Sequence, residues 1–145
     1  MRRRNGEAET LNAQKKILIV DDNEDSRELV IKVLKLSGYQ IVQAVDGEEA
    51  LLKAASERPD LILMDRSLPK MDGLEVAKRL KSDAATSKVP IVALTAHAMR
   101  GDREKALAAG CDGYIPKPIN VRTLAEQVRL HLEKSSGSGA GGENE

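Results

Sequence analysis

Three runs of four apolar residues each stop abruptly on a polar side chain. Ile17-Leu18-Ile19-Val20 ends at Asp21, Leu61-Ile62-Leu63-Met64 at Asp65, and Ile91-Val92-Ala93-Leu94 at Thr95. Runs this short that are apolar at every position, bounded by loop signals such as Pro59-Asp60 and Val89-Pro90, read as strands buried on both faces. Such strands need a layer above and a layer below, and the intervening segments supply them. Asn23 to Ser37 sets Leu29, Val30, Val33, Leu34 and Leu36 at helical spacing and stops at Gly38. Gly47 to Ser56 turns Ala50, Leu51 and Ala54 inward, and Asp72 to Ala84 does so with Val76, Ala77 and Leu80. A further helix falls between Met99 and Ala109, stopped by Gly110, and a last one runs from Asn120 to Lys134 through Leu124, Val128 and Leu132. Gln40 to Ala44 and Gly113-Tyr114-Ile115 are weaker strands, mixed or short, as edge strands are.

Strict alternation of strand and helix implies parallel strands joined by right-handed crossovers, with helices on both faces. The expected fold is a flavodoxin-like three-layer α/β sandwich, with five strands in the order 2-1-3-4-5. The 145 residues, 41% hydrophobic and 32% charged, suit one core. The expected division is a disordered arm over 1–14, one domain over 15–134 and a flexible Gly/Ser-rich acidic tail over 135–145. Lys and Arg (23) balance Asp and Glu (23), so charge gives no ground for nucleic acid or a membrane surface as partner. No apolar run approaches the roughly 20 residues of a membrane span. With the single Cys111 and no signal-peptide pattern, the expected location is the cytoplasm.

In a parallel sheet the residues that follow the strands gather at one edge, which is where open α/β sheets bind ligands. Here they are Asp21 and Asp22, Asp65, Thr95 and Lys117. Three carboxylates in a partly desolvated cleft repel one another unless one is protonated or a cation lies among them. Mg²⁺ suits carboxylate oxygens, and no Cys or His cluster argues for zinc. With a metal there, Asp65 can attack phosphorus while Thr95 and Lys117 help neutralise the equatorial oxygens. The resulting acyl phosphate is labile, which fits a transient signal.

Val20-Asp21-Asp22-Asn23, Met64-Asp65 with Leu68-Pro69-Lys70-Met71-Asp72-Gly73, Leu94-Thr95-Ala96 and Lys117-Pro118 together resemble the receiver domain of bacterial two-component response regulators over Lys16 to Lys134. The run Thr95 to Tyr114 looks closest to stand-alone DivK-type receivers and to receivers attached to hybrid kinases. The resemblance implies Asp65 as phosphoacceptor, and Asp21, Asp22, Asp65 and the Ser67 carbonyl as the Mg²⁺ shell. It implies Thr95 and Tyr114 as switch residues, Lys117 as partner of the phosphoryl group, and a cis bond before Pro118. Ser67 and His97 would tune hydrolysis, whereas Arg66 has no role beyond an exposed charge beside the site. The implied partners are a histidine kinase or phosphotransfer protein and a downstream output protein reached through the helix 4/strand 5/helix 5 face. The expected state is a monomer, with association on phosphorylation left open.

Taken singly, these residues have plainer readings. Asp21-Asp22-Asn23 and Asp72 are good helix caps, Thr95 a loop hydroxyl and Lys117 a solvated charge. His131 reads as solvent exposed, Cys111 as a small core residue and Tyr39 as edge-strand packing. Two other functions compete with the switch. A Mg²⁺-dependent phosphohydrolase with an aspartyl nucleophile would want a second carboxylate where Ser67 stands. A receiver-fold binding module that no longer takes phosphate should have lost one of the five site residues.

Overall fold

The computed structural model describes residues 15–96 and 100–136. The expected arm over 1–14, His97 and the tail from 137 lie outside the described residues. The chain alternates β1 (Lys16–Val20), α1 (Glu24–Leu36), β2 (Gln40–Ala44), α2 (Gly47–Glu57) and β3 (Leu61–Asp65). It continues through α3 (Gly73–Ser82), β4 (Ile91–Thr95), α4 (Arg100–Ala108), β5 (Gly113–Pro116) and α5 (Leu124–Ser136). The strands form one parallel sheet in the order β2-β1-β3-β4-β5, as the alternation predicts.

Every side chain of β3 and β4 is buried, and alternate strand residues serve opposite layers. Leu18, Val20, Ile62, Met64 and Ala93 pack with Ala50 and Ala54 of α2, Val76, Ala77 and Leu80 of α3, and Ala106 of α4. Ile17, Ile19, Leu61, Leu63, Val92, Leu94 and Ile115 pack on the other face with Val30 and Leu34 of α1 and Leu124, Val128 and Leu132 of α5. Tyr39 is buried within this second layer, which places it in the core beyond simple edge packing. Leu29 and Leu36 share the helical spacing of α1 but face outward, at 41% and 81% exposure.

Helix starts follow the local chemistry. The side chains of Asn23, Asp46 and Asp72 accept hydrogen bonds from the backbone N–H of Ser26, Glu49 and Leu74. Helix limits differ from the sequence expectation most clearly in α3 and α5, and α5 runs on to Ser136, two residues into the expected tail. α3 stops at Ser82, where Asp83 turns to extended backbone and the Thr86 hydroxyl donates to the Leu80 carbonyl at 2.7 Å. α5 begins at Leu124 because Asn120 first closes a turn, its side chain accepting from Arg122 N–H at 2.9 Å. Cys111 is buried, which pushes its thiol up to about 11.

Two close approaches constrain the frame. Gly73 opens α3 against the end of β3, where an added Cβ would lie 2.6 Å from the Asp65 carbonyl oxygen and 2.9 Å from Arg66 Cα. Gly113 opens β5 beneath His131, whose Cε1 would sit 2.3 Å from an added Cβ. His131 is therefore half-buried over the sheet and not a free surface residue. Burial lowers its pKa below the ordinary value near 6.5, as does Lys134, while Asp112 opposes the shift.

Gly73→Ala forces backbone to move and should destabilise the fold by about 1–3 kcal/mol, read from urea unfolding. For His131, a folded pKa below the unfolded one means that a stabilising contribution is present above about pH 6.5 and is lost as pH falls through the lowered folded value. Stability should therefore fall as pH drops below about 6.5, and His131→Gln should flatten that part of the profile.

Candidate functional site

Register assembles the site. Val20 pairs with Met64, so Asp21 comes level with Asp65, and Asp65 itself pairs with Leu94, one residue before Thr95. Thr95 pairs with Pro116, and the ladder runs one step further as Lys117 N–H donates to the Thr95 carbonyl at 2.8 Å. The cis Lys117-Pro118 bond follows. Asp21 N–H donates to the Ala44 carbonyl at 3.1 Å, which fixes the first acidic residue to the neighbouring strand.

Among the described residues, the buried polar side chains are Asp21, Asp65, Thr86 and Thr95. Thr86 ties off α3; the other three meet at this edge, which is a concentration that packing alone does not produce. Lys117 Nζ donates to Asp65 Oδ2 at 2.7 Å and lies 3.8 Å from Asp21 Oδ2. Ser67 N–H donates to Asp65 Oδ1 at 2.8 Å, so both acceptor oxygens are held. Asp21 Oδ1 accepts from Asn23 N–H at 2.9 Å, but its fully buried Oδ2 accepts no hydrogen bond. The 3.8 Å to Lys117 is ion-pair range and too long for a hydrogen bond.

Asp21, Asp22 and the nucleophile candidate Asp65 each offer a carboxylate oxygen, and these oxygens lie within 4.8 Å of one another. One ammonium does not neutralise three carboxylates. A buried oxygen left without a donor is costly unless a cation meets it, and the all-oxygen donor set suits a hard divalent ion. Burial raises the Asp65 pKa, the Lys117 and Ser67 hydrogen bonds and the Lys117 charge pull it down, and the charge of Asp21 pushes it up again.

The predicted residues Asp21, Asp22, Asp65, Ser67, Thr95 and Lys117 thus share one edge. Tyr114 is half-buried on β5 with the Arg103 guanidinium 5.9 Å from its ring centre. His97, expected beside the site, lies outside the described residues. Arg66 differs from expectation. Its side chain is only 17% exposed and its guanidinium donates to Asp102 Oδ1 of α4 at 2.5 Å, so it is not an exposed charge. Residue type could not foretell that contact, because the partners are 36 residues apart. After Arg66, the loop carries Lys70 at φ 68°, with Met71 N–H donating to the Pro69 carbonyl across it at 2.6 Å. This tight reversal returns the chain to the start of α3.

Comparison with known proteins agrees with this geometry. Residues 17–129 match the model of the response regulator receiver domain. The polar-differentiation response regulator DivK of Brucella anthropi is 44% identical over 118 residues, which are 81% of this chain and 96% of that protein. Its counterpart in Brucella ovis is 43% identical over the same shares. Among solved structures, chemotaxis response regulator CheY4 of Vibrio cholerae superimposes with a TM-score of 0.77 at 33% identity, covering 81% of this chain and 98% of that one. The receiver domain of a Pseudomonas aeruginosa sensor histidine kinase, described with a magnesium ion coordinated in its active site cleft, gives 0.76 at 34% identity over 82% and 98%. A match spanning all five strands, at this identity to curated regulators, is more than likeness of fold: the chain belongs to the response regulator receiver domain family, the signalling switches of two-component systems.

Proposed function

We propose that the protein is a phosphorylation-controlled switch in which Asp65 accepts a phosphoryl group from a histidine kinase or phosphotransfer protein. The observation that carries this reading is the pairing of a buried carboxylate with Lys117 at 2.7 Å beside an acidic pocket that one ammonium cannot balance. An Asp65 oxygen attacks phosphorus in line with the donor nitrogen. The O–P bond forms as the N–P bond breaks, and the imidazole leaves with the electron pair and takes up a proton. Lys117 moves from the bare carboxylate to the phosphoryl oxygens, and the Thr95 hydroxyl donates to another of them.

Asp21, Asp22, Asp65 and the Ser67 carbonyl would hold Mg²⁺. When bound it supplies charge neutralisation for the transferring phosphoryl oxygens. A magnesium ion in the cleft of the Pseudomonas receiver domain supports the same assignment here. The acyl phosphate adds negative charge and acceptor oxygens at the sheet edge, and drawing Thr95 and Lys117 toward it reshapes the face of α4, β5 and α5, with Tyr114 following. An output protein reads that face. The group is later lost by slow hydrolysis, tuned by Ser67 and His97, so the chain acts as a switch that promotes its own modification and not as a turnover enzyme. We place it in the cytoplasm, where such donors act; among the described residues no helix is long and apolar enough to cross a membrane.

With Mg²⁺ and phosphoramidate, intact-mass analysis should show one phosphoryl group per chain. Chelation with EDTA or Asp65→Asn should abolish it, and Lys117→Ala should slow it by about 10²-fold. Failure of the wild-type chain to take phosphate from either a small donor or a kinase would overturn the reading. The raised Asp65 pKa also has a thermodynamic consequence. Its ionisation opposes folding, a cost that is absent below the ordinary carboxylate range and complete above the raised folded value. In metal-free buffer at neutral pH, Asp65→Asn should therefore melt higher than wild type, and added Mg²⁺ should narrow the gap by stabilising only the wild type.

A further inference from the structure

α4 is the helix least secured by apolar packing. Ala106 is its buried apolar residue among those described, with Ala109 just beyond its end, while Leu107 is 47% exposed and Gly101 has nothing within 4 Å of an added Cβ. Alanine methyls bury little area, so a helix docked through them opens at low cost compared with α3, which inserts Val76, Ala77 and Leu80. Its first turn is instead held by charge. Asp102 receives the Arg66 guanidinium at 2.5 Å with both side chains only 17% exposed, and the next residue, Arg103, lies over the Tyr114 ring. Arg66 directly follows Asp65 in the chain. Consecutive residues of one helical turn thus reach the phosphoacceptor loop on one side and β5 on the other.

We propose that Arg66 is a positioning residue whose ion pair with Asp102 tethers the first turn of α4 to the loop carrying Asp65, and that this tether holds α4 in its phosphate-free position. The regulatory half rests on the phosphoswitch reading above; the tether itself does not. Partial burial makes the pair stronger than a surface ion pair, because removing either partner leaves the other desolvated. A rearrangement of α4 that separates Arg66 from Asp102 must break this contact, and the pair opposes such a movement by its own strength. The coupling is a property of both residues together, so a double-mutant cycle isolates it.

The test is amide hydrogen exchange on the full chain without phosphodonor. Arg66→Met and Asp102→Asn should each speed exchange over α4 by about tenfold and leave α2 and α3 unchanged. The double variant should add nothing further, and the swapped pair Arg66→Asp with Asp102→Arg should restore much of the protection. Unchanged α4 exchange in either single variant, or additive effects in the double, would overturn the tether. With Mg²⁺ and phosphoramidate, Asp102→Asn should then accept phosphate several-fold faster than wild type. An equal rate would overturn the regulatory half, and no modification of any variant, wild type included, would count against the phosphoswitch while leaving the exchange result standing.

Discussion

Three carboxylates confined with one ammonium are the constraint on which this molecule turns. Asp21, Asp22 and Asp65 bring oxygens within 4.8 Å of one another, and Lys117 offers a single positive charge. In water such a group would separate; here the backbone prevents it, because each residue sits at a strand end or within two residues of one, in a sheet whose register is set by buried side chains on both faces. The buried, unbonded Asp21 oxygen marks where the imbalance is greatest. Surplus negative charge held in a fixed arrangement of oxygens suits a hard cation. On the proposed reading, meeting that charge leaves Asp65 ready to act as the nucleophile toward phosphorus.

The frame around the cage is rigid where chemistry needs it. β1, β3 and β4 are packed from both sides, and α3 approaches the end of β3 so closely that only glycine fits at position 73. Gly73 N–H donates to the Arg66 carbonyl, tying the loop after Asp65 to the helix that follows. α4 has the opposite character, with alanine docking and charged contacts at its first turn. On the proposed reading a switch uses this division, with the reacting groups on tightly packed strands and a responding element whose hold is small enough for a local change of charge to shift.

Much of this could be read from residue order. Continuous apolar runs announced strands buried on both faces, Asp and Asn before helical spacing announced the caps, and polar residues closing the runs announced the edge. The less legible features share one cause. The outward turn of Leu29 and Leu36, the depth of Tyr39 and the half-burial of His131 over Gly113 depend on which elements lie opposite one another, which spacing within one helix does not specify. The late start of α5 arises from a competing turn at Asn120 that helical periodicity ignores.

Sequence by itself determined the alternation, hence the parallel sheet, the order of its strands and the identity of the acidic edge, since these follow from local apolar patterning and from the handedness of crossovers. It could not determine the partner of Arg66, because a charged side chain beside a strand end looks solvated until distant residues are placed around it. Folding brings Asp102 from 36 residues away into a partly buried ion pair, and only that packing turns Arg66 from a surface charge into a link between the loop of Asp65 and α4.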